Sequence, residues 1–351
     1  MAWATPKYTK NQIDQAGVAL VSEPPDEDDT FGIWFDAYDD ALVKINNWRS
    51  SHSFPLNTFQ VGLRERGRQV TPHCLVAQRI KRLSSIALKL RRFSSIRLSQ
   101  MQDIGGCRAV VENVAQVKRL VNLYRKSGIK HKLDHIDDYI AHPQRSGYRG
   151  VHLIYRYYSD RKNTYNGLKI EMQIRSPLQH AWATAVETVG TFVKQALKSS
   201  QGEEQWLRFF ALMGTAIAHR ERTAAVPDTP TRRTELRRAL QEYATKLDVE
   251  HRLRTYGAAL RTLEQPSAQN AHYYLLRLDP AQHQVTVTGY KFNELEKASE
   301  EYLSVEKDIK NQIGSDAVLV SVESLDSLRR AYPNYFFDTN VFIEAVNIAL
   351  K

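Results

Sequence analysis

Apolar and polar residues alternate strictly from Leu168 to Arg175. Leu168, Ile170, Met172 and Ile174 take one side, and Lys169, Glu171, Gln173 and Arg175 take the other, as in a strand with one face in a core. The stretch Tyr148–Tyr158 repeats the pattern, with Val151 and Leu153 opposite Tyr148, Gly150 and His152. CRAVVE (Cys107–Glu112) reads as a Val-rich strand and 129–139 as another, while Gln78–Arg92 reads as a strand end leading into an amphipathic helix. A helix over Val114–Lys126 stops before Gly128. Ser176-Pro177 opens a second helix, cap residue first and proline in the first turn, running to about Thr188 with Gly190 near its end. The expected fold is α/β (α+β): a mixed sheet of four or five strands flanked by helices.

The flanks read differently. A short opening helix leads to an acidic, Pro-containing linker at 21–31, then to a helix over Trp34–Arg49 and another near Pro55. After the strands come a helix Gln201–Arg222, the break TAAVPDTPT, and a charged spacer helix Thr231–Leu263 ended by Gln265-Pro266-Ser267. The last 80 or so residues read as a small ββαβα unit. Its elements are the hairpin Tyr273–Asp279 and Gln284–Tyr290, helix Asn293–Gln312, strand Ala317–Val322, helix Ser324–Ala331, and an apolar closing helix Val341–Leu350. The expected division is 1–54 (N-terminal helical extension), 55–195 (the sheet unit), 196–264 (helical linker) and 265–351 (C-terminal domain).

Composition narrows the class. A 42% hydrophobic, 25% charged chain is that of an ordinary globular protein. No apolar run is long enough to span a bilayer, and the N-terminus lacks the apolar core of a signal peptide. Two cysteines, Cys74 and Cys107, exclude a disulfide framework, so a reducing cytoplasm is the expected compartment. The net charge of +10 is concentrated: Gln60–Lys126 holds 15 Lys and Arg against 3 Asp and Glu. A solvated surface could carry such a run, but its confinement to one segment suits a partner with phosphates, a polyphosphate or an RNA backbone.

Within that cationic segment Asp103 is the one acid between Glu65 and Glu112. Asp103 and Glu171, carboxylates from separate parts of the chain, are the kind of pair that Mg²⁺ on a polyphosphate takes, since this ion keeps several waters and one or two protein carboxylates. Lys and Arg would then stabilise the charge on a transferring phosphoryl group. A helix cap or a simple ion pair is the plainer role for Asp103. No P-loop occurs, nor the Gly-Ser and Asp-x-Asp pattern of a polymerase-type nucleotidyltransferase.

Five motifs run in order: R-x-K-R-x-x-S-I-x-x-K-L-x-R (Arg79 to Arg92), D-I-G-G-C-R (Asp103 to Arg108), D-Y-I-x-x-P-x-x-S-G-Y-R-x-x-H (Asp138 to His152), E-x-Q-I-R (Glu171 to Arg175) and H-A-W-A (His180 to Ala183). Together they resemble the synthetase domain of the Rel/Spo alarmone-synthetase superfamily over roughly residues 55–195. The resemblance implies an ATP-dependent pyrophosphokinase that moves the β,γ-pyrophosphate of ATP to a ribose 3′-hydroxyl, leaving AMP. It implies that Arg79 and Arg108 sandwich the adenine and that Lys81, Ser85 and Lys89, with Arg82 or Arg92 in support, hold the phosphates. Asp103 and Glu171 would bind Mg²⁺, with Glu171 also the general base. Tyr148 would stack on the acceptor base, with His152, Gln173 and Arg175 around it. His180, on an apolar helix beside Trp182, reads as structural.

Two acceptors fit the family: a guanosine nucleotide (GDP or GTP), or the 3′-CCA end of tRNA, whose modification blocks translation. No His-Asp pair of the family's hydrolase occurs, so a short synthetase is expected rather than a long bifunctional one. The C-terminal stretch Val318–Phe342, with Tyr332-Pro-Asn-Tyr335, resembles the fused antitoxin domain of CapRel-type toxin–antitoxin proteins. That domain is called zinc-finger-like, yet this tail has no cysteine, so no Cys-type zinc site is expected. The resemblance implies that Tyr332 and Tyr335 regulate the enzyme by covering the ATP site until a phage structural protein, such as a capsid protein, binds the tail. A different class, a catalytically silent RNA-binding module, would need the cations but not both carboxylates.

Overall fold

The computed structural model describes residues 3–25, 30–196, 201–309, 312 and 314–351. The predicted linker at 21–31 and the predicted helix end at Gln312 fall partly outside these, at 26–29 and at 310–311. Three helices open the chain: α1 (Lys10–Val21), α2 (Thr30–Ser51) and α3 (Ser53–Val70). Then come β1 (Leu75–Ile80), α4 (Leu83–Arg92), β2 (Gly105–Val110), α5 (Val114–Arg125), β3 (Lys132–Asp138), β4 (Val151–Arg156) and β5 (Lys169–Arg175). The five strands lie side by side as β3-β4-β5-β2-β1. β2 and β5 are parallel; the other neighbours are antiparallel.

The alternation in β5 works as expected. Ile170, Met172 and Ile174 are fully buried beneath Leu56, Phe59 and Leu63 of α3 and Val117 and Leu120 of α5. Each such side chain contributes about 1.5–3 kcal/mol of burial. Glu171 and Gln173, on the opposite face, stay partly open. One face of the sheet is thus committed to the core and the other is free for chemistry.

The sheet does not stop at β1. The chain continues through α6 (Pro177–Ala196), α7 (Gln201–Glu221), α8 (Arg233–Lys246) and α9 (Val249–Ala259) to β6 (Arg261–Glu264), β7 (Tyr273–Asp279), β8 (Gln284–Tyr290), α10 (Leu295–Asp308), β9 (Asp316–Ser321), α11 (Leu325–Ala331) and α12 (Asn340–Leu350). β9 pairs with β1, giving one nine-stranded sheet ordered β3-β4-β5-β2-β1-β9-β7-β8-β6. The seam is short. Only Gln78↔Ser321 and Arg79↔Val320 pair across it, reinforced where Gln60 Nε2 donates to the Ser321 carbonyl at 2.9 Å.

Two expectations need correcting. The predicted spacer helix Thr231–Leu263 is two helices, α8 and α9, parted where Asp248 adopts a left-handed φ of 47° that a short polar side chain tolerates. Leu263 itself lies in β6, parallel to β8. Nor is the segment a bare spacer: Leu236, Leu240, Leu247, Val249 and Leu253 form an apolar stripe packed with Phe209, Phe210, Phe342 and Val346. Helix α6 also runs past Thr188 and through Gly190 to Ala196, since an internal glycine costs a helix only about 1 kcal/mol.

Candidate active site

Each functional side chain is aimed by the strand that carries it. On the open face of β5, Glu171, Gln173 and Arg175 follow one another at every second position, and His152 of β4 lies opposite Gln173. They form one chain of hydrogen bonds. Arg175 Nη2 donates to the Gln173 Oε1 at 2.8 Å and to the Tyr148 hydroxyl oxygen at 2.6 Å. That oxygen is 2.5 Å from His152 Nε2, and His152 Nδ1 is 3.0 Å from Glu171 Oε1. Gln173 Nε2 donates to Glu171 Oε2 at 2.7 Å. The Arg175 guanidinium also lies 5.0 Å from the Tyr148 ring centre.

The network sets the charges. Burial alone would lower His152, but Tyr148 and Glu171 outweigh it and raise its pKa to about 9. The imidazolium in turn overrides the effect of burial on Glu171 and holds that carboxyl below its usual value. Glu171 is therefore an ionised carboxylate with one hydrogen bond on each oxygen.

The loop leading to Tyr148 is positioned from α7. Gly147 has a φ of 94°, and a Cβ there would sit 2.7 Å from the Phe210 carbonyl, so only glycine allows this approach. Arg149 is buried and donates to the Ile140 and Ala224 carbonyls and to Thr223 Oγ1. The sequence placed Arg149 in a motif without giving it this clamping role.

The second group gathers across the cavity. Asp103, just before β2, takes Lys81 Nζ at 2.6 Å and Lys89 Nζ at 3.1 Å. Burial pushes its carboxyl up, yet these two ammoniums bring it well below the usual carboxylate range. Arg79 of β1 and Arg108 of β2 complete the set. Burial, then Arg175 and Arg79, pull Arg108 down to about 10, although Tyr332 and the Glu187 carboxylate offset them in part, the mark of several cations crowded together. The Arg79 side chain makes no hydrogen bond among the described residues, and Glu187 is the carboxylate that acts on it most. Ser85, in the first turn of α4, accepts from Arg82 Nε at 3.3 Å. Arg92 is separate: it is exposed at the far end of α4, with its guanidinium 5.3 Å from the Phe93 ring centre.

Between these groups lies a cavity of about 40 Å³, lined by Arg79, Lys81, Asp103, Arg108, Glu171 and Tyr332 among others. That is room for about three waters. Its lid is the C-terminal segment. The Tyr332 ring centre is 5.8 Å from the Arg108 guanidinium, and its hydroxyl donates to the Gln78 carbonyl at 2.9 Å. Arg108 Nη1 also donates to the Ala331 carbonyl at 3.2 Å. Tyr335 is buried and accepts from Arg82 Nη1 at 3.2 Å.

His180 bridges the two sides. Its Nδ1 lies 3.4 Å from Arg108 Nη1 and its Nε2 3.1 Å from the Arg330 carbonyl. Burial, with Arg108 and Arg175 nearby, pushes it well below its ordinary pKa. A neutral ring accepting from Arg108 and donating to Arg330 satisfies both contacts.

A far larger cleft, about 770 Å³, opens beside this site, with Lys10, Lys89, Arg97, Arg156 and Lys169 on its walls. Among the described residues no cluster of three or more His, Cys, Asp or Glu could hold a metal. The facing pair Asp103 and Glu171, both ionised, suits a cation that draws its other ligands from phosphate and water. No described helix is long and apolar enough to cross a membrane.

Residues 78–192 match the family described as "Region found in RelA / SpoT proteins". This is the segment that carries every residue of the cavity except Ala77 and Tyr332. Two curated proteins of Bacillus subtilis (strain 168) are similar to it. GTP pyrophosphokinase YjbM is 32% identical over 120 residues, 32% of this chain and 54% of that protein. GTP pyrophosphokinase YwaC is 30% identical over 111 residues, 30% of this chain and 52% of that protein. The chain thus spans about half the length of the curated relatives it matches. Among solved structures, small alarmone synthetase 1 of Bacillus subtilis bound to its product pppGpp aligns at 23% identity and a TM-score of 0.43, covering 49% of this chain and 89% of that one.

Proposed function

We propose that this chain is an ATP-dependent pyrophosphotransferase whose C-terminal segment holds it inactive. The observation that carries the reading is the pairing of two ionised carboxylates, Glu171 and Asp103, across a cavity walled by Arg79, Arg108 and Lys81. An RNA-binding surface has use for the cations but none for carboxylates buried among them.

In this reading the adenine of ATP lies between Arg79 and Arg108, where Tyr332 now stands. Its phosphates extend toward Lys81, Ser85 and Lys89, near Arg82. Mg²⁺ on the phosphates, held by Asp103 and Glu171, would neutralise charge as the group transfers. Lys81 and Lys89, already at Asp103, are placed to turn their ammoniums to the phosphate oxygens. The acceptor's 3′-hydroxyl oxygen attacks the β-phosphorus of ATP, the bond from that phosphorus to the α,β-bridging oxygen breaks, and AMP departs. Glu171 takes the hydroxyl proton. His152 and Gln173 fix the two oxygens of Glu171, so the base is oriented before the acceptor arrives. Tyr148, held by Arg175 and His152, offers its ring to the acceptor base.

The acceptor we favour is the 3′ end of tRNA. The open cationic cleft beside Lys89 and Lys169 has the size and charge for a nucleic-acid backbone, whereas a free nucleotide would leave it unfilled. The guanosine-nucleotide reading has support of its own in the names of the two curated relatives. With tRNA as the acceptor, the tail would be an antitoxin element released by a phage structural protein, and the output an arrest of translation.

The deciding experiment supplies γ-labelled ATP with either deacylated tRNA or GDP plus GTP, to the parent, to Glu171→Ala and to Tyr332→Ala. Label in tRNA, raised in Tyr332→Ala and lost in Glu171→Ala, is the expected result. Label in a guanosine nucleotide would make the chain an alarmone synthetase. No label from any variant, with folding intact, would sink the enzymatic reading in favour of the silent RNA-binding module.

A further inference from the structure

We infer that two carboxylates of the C-terminal segment, Asp316 and Glu306, stand in for donor phosphates, so that a polyphosphate chain and the tail compete for one set of cationic groups. This deepens the function proposed above and rests on it. Arg82, the residue before α4, forms an ion pair with Asp316. The Tyr335 hydroxyl accepts from Arg82 and donates its own proton to Asp316 Oδ2 at 2.9 Å, closing a three-membered ring of contacts.

One residue on, the backbone N–H of Leu83, first in α4, donates to Glu306 Oε1 at 3.0 Å from 223 positions away. Glu306 is itself held in place: Arg49 Nη1 reaches Oε2 at 2.7 Å, and the Tyr302 hydroxyl donates to Oε1 at 2.8 Å. The N-terminus of a ten-residue helix, with its free N–H groups and partial positive charge, is a ready site for an anion. Here a nearly buried carboxylate occupies it while a second neutralises the guanidinium alongside.

The position separates this from an ordinary structural ion pair. The first turn of the same helix carries Ser85, and the following turn Lys89, whose ammonium reaches Asp103. The tail therefore covers the outer part of a phosphate track and leaves Lys81 and Lys89 to Asp103. Tyr332 excludes the base; Asp316 and Glu306 exclude the phosphates. A linear polyphosphate, alone or on a nucleoside, must displace Asp316 to reach Arg82.

The test uses the full chain and inorganic tripolyphosphate, which has no base to compete with Tyr332. Binding is measured by calorimetry, and tail opening by amide hydrogen exchange over 328–337, in the parent, Asp316→Asn, Asp316→Glu and Glu306→Gln. Asp316 is partly exposed and asparagine keeps its shape, so Asp316→Asn keeps the test valid even where Glu306→Gln misfolds. Loss of one charge-assisted contact predicts tripolyphosphate binding about ten-fold tighter or more in Asp316→Asn. Exchange should rise at correspondingly lower ligand concentration, with Asp316→Glu like the parent. Equal affinity in parent and Asp316→Asn, with unchanged exchange, would overturn the inference. No binding to any variant, Tyr332→Ala included, would overturn both it and the donor site. Tight binding without transfer to any acceptor would sink the enzymatic reading alone.

Discussion

The two halves of the cavity solve the same problem in opposite ways. Around Glu171, the polar groups satisfy one another: Arg175, Tyr148, His152 and Gln173 all lie within 28 positions of each other and form a closed chain of contacts. Across the cavity, several partners come from far along the sequence: the Ala331 carbonyl and Tyr332 on Arg108, Tyr335 and Asp316 on Arg82, and Glu306 on the Leu83 N–H. The first half is organised whether or not the tail is present. The second pairs Asp103 with Lys81 and Lys89 locally but takes its contacts to Arg82 and the start of α4 from the tail. On the function proposed above, such a site would stay ready to react and still be shut, because closure would act on donor entry and leave the base untouched.

The comparison can be broken from either side, and the largest effect is expected at the base. Glu171→Gln should lower transfer from ATP by about 10³-fold, within the range for a general base, while melting near the parent. A loss under ten-fold would show that the self-satisfied half is scaffold. Next is Tyr332→Ala, which removes a buried ring from the other half. We expect a loss of about 3–5 kcal/mol in denaturant unfolding, from the deleted packing, together with transfer raised ten-fold or more. Reduced transfer from a folded variant would mean that the tail assists the donor half.

The third test is pH. His152 has a folded pKa of about 9, above its ordinary 6.5, so its stabilising contribution is full below about pH 6.5 and is lost as pH rises through 9. The melting point of the parent should fall relative to His152→Asn across that window, by the equivalent of about 2–3 kcal/mol. Parallel curves would mean that the imidazolium does not hold the half around Glu171 together. The smallest effect should come from Arg92→Ala, within about two-fold of the parent in transfer. Lys89→Ala, by contrast, should lose at least ten-fold.

Much of the half around Glu171 was legible in the sequence because strand alternation shows directly in residue type. Glu171, Gln173 and Arg175 could be set on one face, against a core of Ile170, Met172 and Ile174, without knowledge of the fold. The motif from Arg79 to Arg92 was legible as a unit, but helix geometry divides it: Lys89 turns toward Asp103 whereas Arg92, at the last residue of α4, faces solvent. Asp316 and Glu306 gave no signal, because acids in a charged tail look like any solvated surface. The continuous sheet was equally hidden. Strand pairing is made by backbone groups, and a seam of two residue pairs leaves nothing for side-chain periodicity to record. The break at Asp248 went unseen for a related reason: a left-handed residue other than glycine carries no obvious marker.

That short seam has a further consequence. Were the tail to leave, as the proposed function requires, β1 would become the outermost strand of its sheet and β9 that of the other, each with unpaired backbone groups open to a second chain. A released state would therefore carry an association hazard that the closed one lacks. Arg79, with Lys81 just beyond the strand end, puts positive charge beside the newly bared margin, a common natural guard against unwanted strand pairing. The groups proposed to grip the donor would double as gatekeepers of the opened protein. Bound ATP, by neutralising them, would lower that guard while protecting the margin by its own bulk.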